Sequence, residues 1–160
     1  MQLAILLYDR MTALDAIGPY EVLQAPGLGI EVRFVAREKG MKRTDFGRLG
    51  LQADYTLDET PRPDILLVPG TAYPDAVMGD PVVLDWIAKV HQTTKWTTSV
   101  CTGALGLGAA GVLKGLKAST DVDAAGLAVS ESERRVLLHL SAITTWAGRD
   151  AIPSGQLALP

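Results

Sequence analysis

Apolar residues in this chain gather into short continuous runs separated by amphipathic stretches. Residues 3–8 (LAILLY) and 64–68 (DILLV) are nearly uninterrupted apolar runs, as expected of strands buried on both faces of a parallel sheet. Residues 96–100 (WTTSV) read as a third short buried strand, and residues 30–36 (IEVRFVA) alternate well enough to form another. Between them, residues 11–24 (MTALDAIGPYEVLQ) carry Leu14, Ile17 and Leu23 at helical spacing, with Asp15 near the start. Gly18-Pro19 interrupts a regular helix, so this one is expected on one side of that pair or the other.

A further helix starts at Asp80, an N-cap followed by Pro81 at the first helical position. Val83, Trp86, Ile87 and Val90 then recur on one face. Residues 102–113, almost wholly Ala, Gly and Leu, read as the last clear helix. Residues 40–54, with glycines and scattered charges, suggest a turn and a short antiparallel excursion. Strands alternating with helices imply an α/β sandwich around a mainly parallel sheet. Ligands in such sheets bind outside the carboxyl ends of the strands. Asp15, Gly70, Thr71 and Cys101 all follow strand ends and should share that edge.

Composition narrows the class. A chain of 160 residues is expected to form one domain. Its 48% hydrophobic and 21% charged residues suit a folded globular protein rather than a disordered one. A formal charge of -3 without basic clusters leaves no electrostatic footprint for nucleic acid. Met1 leads directly into a strand and no apolar run approaches spanning length, so no membrane association and a cytoplasmic location are expected. A single cysteine excludes an intrachain disulfide framework and suits a reducing compartment.

That cysteine, Cys101, falls between a strand and a helix. A side chain on such a turn projects into solvent and faces the amides of the following helix, whose dipole favours a thiolate. Small neighbours, Thr102, Gly103 and Ala104, let a ligand approach the backbone. The residues alone also admit a plain reading, because cysteines often serve as small apolar core groups. Asp15 likewise reads as a helix N-cap, and Gly70-Thr71 as an ordinary strand-ending turn.

Three motifs occur in order, LDAIGPYEVL, ILLVPG and SVCTGALGLGAAGVLKG. Together they resemble the DJ-1/PfpI superfamily, and most closely its isocyanide hydratase branch, over residues 3–120. The resemblance implies a flavodoxin-like three-layer sandwich, a homodimer, a small-molecule substrate and no metal or organic cofactor. It implies Cys101 as nucleophile, Asp15 as its acidic partner and Thr102 as the hydroxyl beside it. Relatives carry two successive glycines where Gly70 and Thr71 stand, with amides facing the reacting centre like an oxyanion hole. With Gly103, these are the expected substrate-binding positions. The β-branch of Thr71 disfavours positive φ, so its donor geometry should differ.

The implied reaction adds the Cys101 thiolate to the terminal carbon of an isocyanide, giving a thioimidate. Asp15 delivers the proton and then helps to activate water, releasing an N-substituted formamide. Burial and the neighbouring negative charge should raise the Asp15 pKa for that task. Two other activities belong to the same resemblance. One is glyoxalase or deglycase chemistry, although relatives with it tend to carry Glu where Asp15 stands. The other is a non-enzymatic ligand or redox sensor working through oxidation of Cys101. No motif pairs His91 or His139 with Cys101, and Asp121 stands where many relatives place a histidine, so a Cys-His protease is disfavoured.

After about Thr120 the sequence departs from the family pattern, and a truncated or divergent domain is expected. Residues 134–140 still read as a strand and residues 154–160 as a loose end. A missing closing helix would leave one sheet face uncovered and favour a tighter dimer or aggregation.

Overall fold

The computed structural model of the protein describes residues 1–115 and 145–147. The strand read at 134–140, the end at 154–160, and the residues Asp121 and His139 lie outside them. In chain order the elements are β1 (Gln2–Leu6), α1 (Ala13–Leu23), β2 (Glu31–Ala36), β3 (Gly40–Arg43), β4 (Gly50–Ala53) and β5 (Tyr55–Thr56). They continue with β6 (Ile65–Val68), α2 (Asp75–Met78), α3 (Pro81–His91), β7 (Trp96–Ser99), α4 (Gly103–Ala109) and β8 (Thr145–Ala147).

Among the described residues, six strands form one sheet in the order β5-β2-β1-β6-β7-β8. Every pair is parallel except β7 with β8, and β3 and β4 make a separate antiparallel hairpin over the stretch expected to hold one. Successive strand residues point to opposite faces, yet Leu3, Ala4, Ile5 and Leu6 are all fully buried. Both faces of β1 are therefore covered, which gives the α/β, flavodoxin-like sandwich expected from its unbroken apolar run. Met11, just past β1, bridges to Thr44 on one side and to Thr71 on the other, drawing the hairpin and the turn after β6 to the same end of the sheet.

Helix α3 begins as anticipated. The Asp80 carboxylate accepts from the amides of Val82 and Val83, with Pro81 at the first helical position. Two helices differ from expectation. Helix α1 runs straight through Gly18-Pro19. Pro19 lacks the N–H that would reach the Asp15 carbonyl, but packing on β2 holds the later turn in place, with the rings of Tyr20 and Phe34 5.1 Å apart. Helix α4 ends at Ala109 rather than at 113. Gly111, with φ of 76°, donates to Gly108, and Val112 donates to Leu107. This is a Schellman stop, which needs a left-handed residue just past the cap. The short α2, in a stretch expected to be loop, packs its Val77 against Gly106 of α4.

Candidate active site

The turn from β7 into α4 is tight. Gly103 donates its N–H to the Val100 carbonyl at 3.0 Å, and between them Cys101 adopts φ of 54°. A left-handed backbone at a residue with a Cβ costs about 1–2 kcal/mol, so the surrounding structure must hold it there. Cys101 is partly exposed, not sealed among aliphatic side chains. A Cβ on Gly103 would collide with the Val68 carbonyl oxygen and lie 2.9 Å from that of Pro69. Glycine at 103 is therefore what lets the elbow close against the end of β6.

Opposite the elbow lies the Pro69-Gly70-Thr71 turn, and its polar groups are engaged one by one. Tyr8 donates its hydroxyl to the Pro69 carbonyl at 2.6 Å, and the Gly70 amide donates to Asp15 Oδ2 at 3.0 Å. The Thr12 amide donates to the Gly70 carbonyl at 2.8 Å. The Thr71 amide donates to Thr102 Oγ1, which donates back to the Thr71 carbonyl, both at 2.7 Å. Finally, the Thr71 hydroxyl donates to the carbonyl of Arg10 at 2.6 Å. Among the described residues, Arg10 is the other non-glycine residue with positive φ, at 69°.

The structure brings the sequence-predicted residues together at this edge. Asp15, Gly70, Thr71 and Thr102 are all buried, and they meet around the Gly70 Cα. A Cβ there would lie 2.7 Å from Asp15 Oδ2 and 2.8 Å from both the amide and the hydroxyl of Thr102. Asp15 does not cap its own helix. Thr12 holds that position, with its hydroxyl turned to Asp45 at 3.3 Å. The amides of Gly70 and Thr71, expected to face substrate, donate here to Asp15 and Thr102.

Tyr8 is the residue that sequence reasoning missed. It ends the apolar run of β1 and reads as one more core side chain. Burial first, then the negative charges of Asp15 and of Cys101, push its phenol far above the usual tyrosine range. That shift places Tyr8 in the field of both groups. A cleft of about 450 Å³ opens at the ends of β1 and β2, with Arg10, Arg37, Lys42, Val77 and Val83 in its walls. Tyr8 lines it too, whereas Cys101 and Asp15 do not. His91 stands beside Thr97, Nδ1 to Oγ1 2.9 Å, near the start of β7 rather than at the Cys101 end. Among the described residues, no cluster of three or more His, Cys, Asp or Glu could hold a metal ion, and no helix is long and apolar enough to cross a membrane.

Comparison with known proteins gives one consistent outcome. The profile of the DJ-1/PfpI family matches residues 1–144, beyond the point near Thr120 at which the sequence reads as departing from the family pattern. An isonitrile hydratase from Pseudomonas putida is 37% identical over 120 residues, covering 75% of this chain and 52% of that protein. The chain thus spans about half the length of that relative. An uncharacterized protein from Streptomyces lividans is 37% identical over 125 residues, covering 74% of this chain and 86% of its own length. The crystal structure of a ThiJ/PfpI family protein from Pseudomonas syringae superposes with a TM-score of 0.70 at 33% identity, covering 75% of this chain and 50% of that one.

Proposed function

The chain belongs to the DJ-1/PfpI family, and from that premise we propose that it hydrates an isocyanide to an N-substituted formamide. The observation that carries the reading is the Gly70 contact. Its amide holds the Asp15 carboxylate at 3.0 Å while its bare Cα abuts Thr102, the residue after Cys101. An acid and a strained, partly exposed thiol on one sheet edge are what addition across a polar carbon needs. The identity to an isonitrile hydratase supports this substrate class over an α-oxoaldehyde.

In the proposed sequence the Cys101 thiolate forms a C–S bond to the terminal isocyanide carbon, and Asp15 gives that carbon its proton. The product is a thioimidate, R–N=CH–S–Cys101, with Asp15 left as a carboxylate. Water then adds across C=N, its hydroxyl to carbon and its proton, relayed by Asp15, to nitrogen. Collapse breaks the C–S bond, returns the hydroxyl proton to Asp15 and releases R–NH–CHO with the thiolate restored. Thr102 and Gly103 hold the elbow against β6, and Gly70 and Thr71 hold Asp15 and Thr102 in register.

Exposed apolar side chains on α1 and on the hairpin tip, Leu14 at 74%, Val22 at 67% and Phe46 at 87%, support pairing with a second copy of the chain. Sedimentation should then give twice the mass of one chain. Incubation with a small alkyl isocyanide, with formamide followed by mass spectrometry, tests the activity. Product formation that survives Cys101→Ala would remove the proposal.

A further inference from the structure

The peptide joining Pro69 to Gly70 is hydrogen-bonded at both ends. Tyr8 donates to its carbonyl oxygen at 2.6 Å, and its N–H donates to Asp15 Oδ2 at 3.0 Å, both bonds buried. The C=O and N–H of a peptide share one conjugated system. A donor on the oxygen draws density away from nitrogen and makes the N–H a better donor in turn, the cooperative effect expected of hydrogen-bond chains in a low dielectric. Tyr8 therefore reaches Asp15 through a single planar group.

We infer that Tyr8 is a positioning residue that sets how readily Asp15 holds its proton, acting through the Pro69-Gly70 peptide. The inference rests on the reading of Asp15 as the proton carrier for Cys101. The direction follows from the geometry. A strong N–H donor stabilises the carboxylate, so an intact Tyr8 hydroxyl favours proton release from Asp15. The phenol keeps its own proton because burial and the neighbouring charges oppose ionisation, so the donor persists through neutral pH.

Charged groups on the elements around Asp15 come from separate parts of the chain. Cys101 approaches from the elbow and shares the field at Tyr8. Asp45 at the hairpin tip contacts Thr12, at the start of the same helix. Arg10 follows β1, its carbonyl held by Thr71 and its guanidinium stacked 4.6 Å from the Tyr73 ring centroid. The Pro69-Gly70-Thr71 turn contributes no titratable side chain. Removing the Tyr8 hydroxyl leaves all of these in place.

The test follows the Asp15 carboxyl carbon by NMR titration of the full chain, parent against Tyr8→Phe. The expected result is an upward move of about half a pH unit, the size of a modest weakening of one charge-assisted bond. Site-specific 3-fluorotyrosine at Tyr8, a stronger donor of nearly the same shape, should move the titration the other way and decides the matter if Tyr8→Phe does not fold. An Asp15 titration unmoved by these replacements overturns the inference, even if stability falls, because the hydroxyl would then be structural only. Absence of formamide from the parent chain would count against the hydratase reading alone, since this measurement follows the proton on Asp15 rather than turnover.

Discussion

Thr71 and Thr102 form a closed pair: the Thr102 hydroxyl takes the Thr71 amide proton and gives its own to the Thr71 carbonyl, each at 2.7 Å and both buried. This single oxygen satisfies both backbone groups of the turn residue that follows Gly70. It couples the Cys101 elbow to the end of β6 across 31 residues of chain. A methyl in place of the hydroxyl would preserve volume and lose both bonds.

Thr102→Val should therefore cost about 2–4 kcal/mol of unfolding free energy, because a buried N–H and a buried C=O are left without partners. Thr102→Ser keeps the oxygen and should lose much less. Urea unfolding of the two variants checks the difference. Equal stability for Val and Ser would mean that the turn finds other partners.

Gly70→Ala tests the packing of the site itself. The new methyl would meet Asp15 Oδ2 and the amide and hydroxyl of Thr102 at 2.7–2.8 Å. One of these is backbone and cannot swing aside, so a loss of about 1–3 kcal/mol is expected from overpacking. A matched control lies nearby. At Gly108, on α4, an added Cβ meets nothing within 4 Å, so Gly108→Ala should gain about 0.5–1 kcal/mol from helix propensity. Thermal unfolding should move in opposite directions for the two alanines.

How much of this was legible in the chain follows from the range of each interaction. The unbroken apolar run of β1 and the Asp80-Pro81 start of α3 depend on neighbours in sequence and could be read directly. Cys101, Asp15 and Gly70 could be placed on one sheet edge because each follows a strand end. The left-handed role of Gly111 was hidden by the run of small residues before it. Pro19 pointed to a break because local rules omit the packing of Tyr20 on Phe34. Tyr8 gave no signal, since what distinguishes it is a bond to Pro69, 61 residues away.

The strained backbone at Cys101 makes a prediction in which glycine outperforms alanine. At φ of 54° a Cβ is a liability, so Cys101→Gly should be more stable than Cys101→Ala by about 1 kcal/mol. Neither variant should react with iodoacetamide at this position or form formamide. If alanine proved as stable as glycine, the turn would have relaxed, and the elbow would owe nothing to strain.

The last prediction concerns alkaline pH. Burial and the charges of Asp15 and Cys101 raise the Tyr8 phenol in the folded chain, while in the unfolded chain it titrates near its ordinary value of about 10. Below that value both states keep the proton and the stability is fully present. As pH rises above it, the unfolded state loses a proton that the folded state retains, and stability falls. The slope from this one group approaches about 1.4 kcal/mol per pH unit. Tyr8→Phe should be less stable near neutrality, having lost the bond to Pro69, but its stability should decline less steeply above pH about 10. Unfolding free energies measured across that range, parent against variant, should therefore converge as pH rises; parallel curves would mean that the phenol ionises as easily in the fold as outside it.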